Sequence, residues 1–336
     1  MTDINDLGVA TDSAPVDDLA PERKQRGSLI VAFAWAIVVG WILVALLAPW
    51  IAPHDPGTQS LVNRLQPPGT SGHLLGTDAI GRDVFSRILH GARLSLGAAA
   101  LVAVFTSIVA VSIGLISGYF GGWVDAVLMR IVDIWLAFPG LILAIAMVTA
   151  LGRGLDKMII ALVLAGWAGM ARIVRGETLQ LREREYTMSA QVLGVSKPGI
   201  MFKHLLPNIM PTILVVTALD IGSTILGLAS LAFLGVGIGS DVVTWGSMLS
   251  DGRNYISTAW WVALFPGLAI FTIVLAVNLV GDWLRDRYDP RSPFRRAKLD
   301  AAMRAAGEGQ LDAPGPAEAS RVAGDGTTKS PDGGQR

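Results

Sequence analysis

Cysteine is absent from all 336 residues, which removes disulfides, thiolate nucleophiles and Cys-ligated metals together. Charge is scarce as well. Only 16% of residues are Asp, Glu, Lys or Arg, against about a quarter in an ordinary soluble domain. The 27 basic and 27 acidic residues cancel, so no general attraction to nucleic acid follows. His54, His73, His90 and His204 show no i, i+4 pair or other ligand spacing, and no His-Glu-x-x-His occurs. A metal site therefore has little support, and a membrane-embedded hydrolase lacks its parts. No Gly-x-x-x-x-Gly-Lys-Ser/Thr phosphate loop is present, so if ATP drives any activity of this protein, another chain must bind it. The glycine run at 235–239 superficially fits a nucleotide fingerprint, but it follows an apolar helix and opens no βαβ unit.

Apolar residues are what the chain has in excess. They make up 52% of it and raise the mean hydropathy to +0.52, which places the protein in a membrane. A hydrocarbon core of roughly 30 Å needs about 20 apolar residues in a helix. Six such segments are predicted, at about 29–51, 94–118, 132–151, 157–176, 209–237 and 257–281, all helical through Pro139 and Pro266 because lipid cannot satisfy an open backbone. The fold class predicted is therefore an all-α membrane protein with six transmembrane helices. Lys and Arg concentrate before the first span, between the fourth and fifth, and after the last, so both termini are expected on the cytoplasmic side. Residues 1–28 and 294–336 are polar and lack apolar periodicity, and both are expected to be disordered cytoplasmic tails.

The connection between the first two predicted spans is the longest, and a loop of that length is functional or self-packed. Its second half, 83–93, reads either as an amphipathic helix at the interface or as an extension of the second span. Trp260 and Trp261 lie at a predicted boundary and suit an aromatic belt. Arg130 and Asp133 stand three apart, which permits a local ion pair. Gly114 and Gly118 permit close helix contact. Asp220 is the one ionisable residue deep inside a predicted span, and such residues face a bundle interior or an aqueous cavity. A solute path, a contact with another subunit and a hydrated boundary all remain open for it.

The most informative segment is Glu185-Tyr-Thr-Met-Ser-Ala-Gln-Val-Leu-Gly194, followed by Val-Ser-Lys-Pro-Gly and Ile200-Met-Phe-Lys-His-Leu-Leu-Pro207. Gly194 and Pro207 read as helix stops that frame two short helices joined by a sharp turn. This pattern resembles the Glu-Ala-Ala loop of prokaryotic ABC importer permeases, with Met188 where that family most often has Glu and Ser189 in place of its first Ala. Further blocks are similar to the dipeptide, oligopeptide and nickel branch, C type: Leu75 to Arg87, Trp245 to Arg253, and Phe265 to Arg291. The resemblance implies a type I permease fold that is not itself an enzyme, in a prokaryotic inner membrane. It also implies a coupling loop at 183–207 through which Glu185, Met188, Ser189, Ala190, Gly194 and Pro207 meet a cytoplasmic ATPase. The partners it implies are that ATPase, which binds ATP and Mg, a B-type permease subunit, an extracytoplasmic substrate-binding protein and membrane lipid. Di- or oligopeptides are the expected cargo, with chelated nickel or another small solute as the alternative. The competing class is an ion-coupled secondary transporter that uses Asp220.

Overall fold

The computed structural model describes residues 20–70, 72–239 and 242–288, with side chains from Leu29 onward. The tails expected to be disordered fall largely outside these residues, as does the block from 289 to 291. Residues up to Arg285 form one compact unit, and a second unit begins at Asp286, of which only the end of the last helix is described.

Ten α-helices and no strand are found among the described residues: α1 (Ala20–Ile51), α2 (Val84–Phe120), α3 (Gly122–Leu136), α4 (Gly140–Leu151), α5 (Leu155–Arg182), α6 (Glu185–Val192), α7 (Lys197–Ile200), α8 (Leu206–Phe233), α9 (Trp245–Gly252) and α10 (Trp261–Tyr288). Five stretches are long and apolar enough to cross a membrane, and a sixth arises if α3 and α4 count as one span. The all-helical expectation is met, and the boundaries move. The first apolar span is Leu29–Ile51 as expected, within a helix that starts at Ala20. Residues 84–93 join the second span in one continuous helix, so the separate interfacial helix does not form.

Pro139 breaks its span, contrary to the sequence reading. Proline pushes the residue before it out of the α region, and here α3 and α4 meet at a bend of 91° with Pro139 at the N-cap of α4. Pro266 stays inside α10 as expected. Pro207 is not a stop. The helix runs on from Lys197 to Phe233, and it passes Pro207 by widening into a π turn over Met201–Leu205, with Leu206 N–H donating to Met201 O. A ring at 207 would crowd the carbonyl four residues back, and the wider turn relieves that contact.

The spine is α2 packed parallel on α5. A Cβ at Gly114 would fall 2.6 Å from Ala171 O, and one at Gly118 would fall 2.6 Å from Thr178 Cβ. Both glycines are therefore required by backbone proximity, as small residues are wherever membrane helices touch closely. Asp125 of α3 accepts from Arg175 of α5 at 2.5 Å through both oxygens, and Ser117 of α2 donates to the same carboxylate, which binds three helices at one end. Asp133 pairs with Arg172 at 2.6 Å rather than with Arg130, so α3 is pinned to α5 instead of to itself. The core has two main parts. Met158, Leu231, Trp245 and Ile273 centre the first, while Val174, Ile200, Leu205 and Ile209 centre the second beneath α6 and α7.

Candidate coupling element and translocation face

The segment singled out in the sequence folds as α6, a sharp turn and α7, at the end of α5 and beside the end of α2. Thr187 Oγ1 donates to Leu181 O at 2.8 Å, which ties the first turn of α6 to α5. Gly194, with φ of 77°, ends α6 in a Schellman motif: Val195 N–H donates to Ala190 O and Gly194 N–H to Gln191 O, each at 3.0 Å. Ser196 then caps α7 by accepting from Gly199 N–H. Lys197 Nζ lies 5.7 Å from the centre of the Phe120 ring at the end of α2. Arg182 donates to Tyr119 O at 3.1 Å. The turn is thus fixed to the bundle at several points.

The six candidate coupling residues divide in two. Glu185, Met188, Ser189 and Gly194 are exposed, next to Val192 and Leu193, which are 88% and 82% exposed. Ala190 is 6% exposed and sits in the inner core with Val174, Ile200 and Leu205, so it cannot touch a partner as the sequence reading supposed. Pro207 lies within the long helix and shapes its π turn. An open groove of about 600 Å³ runs beside this element, lined by Tyr119, Phe120, Arg182, Met188, Gln191 and Lys197.

Asp220 is half-buried in α8 and opens on a cleft of about 290 Å³ shared with Val102 and Thr106 of α2, Gly140 and Leu141 of α4, and Ser223. Ser107 and Thr217 hydrogen-bond at 2.9 Å, extending this polar patch between α2 and α8. Among the described residues the Asp220 carboxylate meets no hydrogen-bond donor and no cation.

At the opposite end, loop 52–83 folds on itself. Gly81, with φ of 80°, lies where a Cβ would sit 1.8 Å from Ser60 O. Asp78 caps the turn by accepting from Ile80 N–H and Arg82 N–H, and it also accepts from Arg82 Nε at 2.6 Å. Arg82 Nη2 donates to Asp251 of α9 at 3.1 Å, and the guanidinium of Arg87, 1% exposed, lies 3.8 Å from Asp78 and 3.6 Å from Asp251. Two carboxylates and two guanidinia thus form a neutral buried cluster. Burial pushes the Asp251 carboxyl above its ordinary value, against the pull of Arg87 and Arg82. Trp261 belongs to this layer rather than to an aromatic belt: it is buried and donates from Nε1 to Thr77 O at 3.2 Å. Trp245 does likewise toward Ile88 O at 3.1 Å.

With that geometry in place, residues 110–292 match the family described as the binding-protein-dependent transport system inner membrane component, and residues 30–68 match the N-terminal membrane domain of oligopeptide transport permease C. The chain belongs to this permease family. The permease is 42% identical over 255 residues to a dipeptide transport system permease protein of Alkalihalophilus pseudofirmus, covering 76% of this chain and 84% of that one. It is 38% identical over 267 residues to a probable D,D-dipeptide transport system permease protein of Escherichia coli, covering 80% and 89%. It is 40% identical over 269 residues to a glutathione transport system permease protein of Pectobacterium atrosepticum, again covering 80% and 89%. Membership in a binding-protein-dependent family argues against a carrier that works alone.

Proposed function

We propose that the permease is a membrane-spanning subunit of an ATP-driven peptide importer, and that α6 and α7 receive the force of a separate ATPase. The observation that carries this is the exposed apolar ridge of Met188, Val192 and Leu193 on a short helix fixed at both ends. A water-facing ridge of this kind calls for a partner, since burying each such side chain is worth roughly 1.5–3 kcal/mol. Docked in a groove of an ATPase, the ridge supplies apolar contact, while Glu185 and Ser189 supply polar contact at the rim. ATP and Mg bind the partner chain, and both termini of the permease lie on its side of the membrane.

Movement of the ridge reaches the spans through named links. The turn is continuous with the helix that carries Asp220, and it is tied to α5 by Thr187 and packed against α2 through Lys197. A rigid-body shift of the ATPase therefore rotates α8 against the parallel pair α2 and α5. The polar cleft at Asp220 lies between those two bodies and forms this subunit's share of the solute path, completed by the second permease subunit. Peptides, which carry both polar and apolar groups, fit a lining that sets Asp220, Ser223 and Thr106 among Val102, Leu141 and Leu162, and the relatives named for dipeptide and glutathione transport support that class. A substrate-binding protein delivers them to the end built from loop 52–83 and α9.

Uptake of a labelled dipeptide into intact cells tests this reading. ATP depletion abolishes uptake, and a proton ionophore leaves it largely unchanged. Loss of uptake with the ionophore at constant ATP would contradict it.

A further inference from the structure

The loop end holds a second constellation that transport does not use. His54, His73 and Asp83 lie 19 and 10 residues apart in sequence order yet bring one nitrogen or carboxylate oxygen each to within 4.8 Å of one another. His73 Nδ1 stands 2.8 Å from Asp83 Oδ1, and His54 Nδ1 stands 3.8 Å from Asp83 Oδ2. The two imidazoles lie side by side, centres 4.7 Å apart at 33°, with both Nδ1 atoms turned to the same carboxylate. We propose that these three side chains form a site for a borderline divalent metal ion of the zinc class, which staples loop 52–83 to the start of α2.

Two imidazole nitrogens and one carboxylate oxygen are a zinc donor set, and a fourth position is left for water. Around a tetrahedral zinc, donors bonded at about 2.0–2.1 Å stand about 3.3 Å apart, so the three side chains need only a small adjustment. The freedom lies in the right place. Asp83 and His73 are buried, while the His54 side chain is 41% exposed and can swing inward. The surroundings fix the ligands as outer partners fix those of metal sites. Asp83 Oδ2 accepts from Ser86 N–H at 2.8 Å as the N-cap of α2, which leaves Oδ1 for the ion. His54 N–H donates to Ser86 Oγ at 3.1 Å, so both ligands hang from one serine. His73 is held by hydrogen bonds from Gly69 N–H and Gly76 N–H to its carbonyl. A capping hydrogen bond from His73 alone would explain Asp83, but it gives His54 no reason to stack there with its Nδ1 aimed at the same group.

The test uses the whole transporter complex, purified in detergent through a tag without histidine, stripped with chelator and dialysed. Zinc chloride alone is the probe, read by elemental analysis of bound metal, by titration calorimetry and by thermal unfolding. The expected result is one zinc per permease chain and a Tm that rises with zinc concentration. His54→Ala, which changes an exposed ring and spares the fold, should weaken zinc binding at least tenfold, whereas His204→Ala should leave it unchanged. Zinc binding retained in His54→Ala, or no binding by the unmodified complex above the level of that variant, would overturn the proposal.

Discussion

Arg82 donates to Asp251 at 3.1 Å across 169 residues of sequence. One contact therefore joins the two polar blocks of the loop end, Leu75 to Arg87 and Trp245 to Arg253, into a single buried cluster with Asp78 and Arg87. The cluster ties loop 52–83 and the start of α2 to α9.

Neutrality of that cluster is the basis of the first prediction. Asp251→Asn leaves one guanidinium uncompensated in a buried place, and breaking such a pair costs on the order of 3 kcal/mol. Thermal unfolding of the purified complex should show a clear drop in Tm at neutral pH. Burial raises the folded pKa of Asp251 above its unfolded value, so the folded state binds more protons and the contribution of this group to stability falls as pH rises through that interval. The gap between variant and parent should therefore widen as the pH is lowered toward 5, because the Asn side chain does not titrate. A gap that narrows with acid would be inconsistent with a raised value.

The parallel packing of α2 on α5 predicts opposite outcomes for two glycines of one helix. Gly118→Leu drives a side chain into Thr178 and the Arg175 carbonyl and should cost about 1–3 kcal/mol or more, seen as reduced Tm and membrane abundance. Gly97→Ala meets no atom within 4 Å and should be neutral or stabilising by up to about 1 kcal/mol through helix propensity. Equal effects from the two would mean that close packing at 118 is not what the glycine serves.

Ala190 faces the inner core, so Ala190→Asp places a carboxylate among Val174, Ile200 and Leu205 and should lower the amount of folded protein. Normal abundance and Tm in this variant would show that the side chain points outward.

Asp220 predicts a change in transport without a change in fold. Asp220→Asn keeps the shape and removes the charge in the cleft, so peptide uptake per molecule should fall several-fold while Tm stays level or rises. Unchanged uptake would assign the residue to subunit contact.

Much of this architecture was legible in the amino-acid sequence, because hydropathy reports burial in lipid directly. The spans around Leu94 to Gly118 and Ile209 to Phe233 stand out as charge-free or nearly so, and the Gly114 and Gly118 pair marks its own contact. The element at 185–200 was readable from Gly194, whose positive φ is the physical need that the residue type reveals. Proline was the poorer guide. Pro139 ends a helix, Pro207 widens one and Pro266 sits inside one, since the outcome depends on which carbonyl lies beneath the ring and what packs beside it. Ala190 misled because small size suits an interface and an inner core equally. His54, His73 and Asp83 share no helical or hairpin spacing and are joined only by the fold of loop 52–83. Local patterns cannot show such a meeting, and the same is true of Arg82 and Asp251.

The central claim is that the ridge on α6 receives the ATPase. Its most direct test is purification of the permease from native membranes in mild detergent, with partners identified by mass spectrometry, for the parent and for Val192→Asp and Leu193→Asp. Both side chains are more than four-fifths exposed, so abundance should stay normal. The account predicts a P-loop ATPase and a second permease subunit with the parent, and loss of the ATPase alone with either variant. Recovery of the ATPase in undiminished amount with both variants would contradict it.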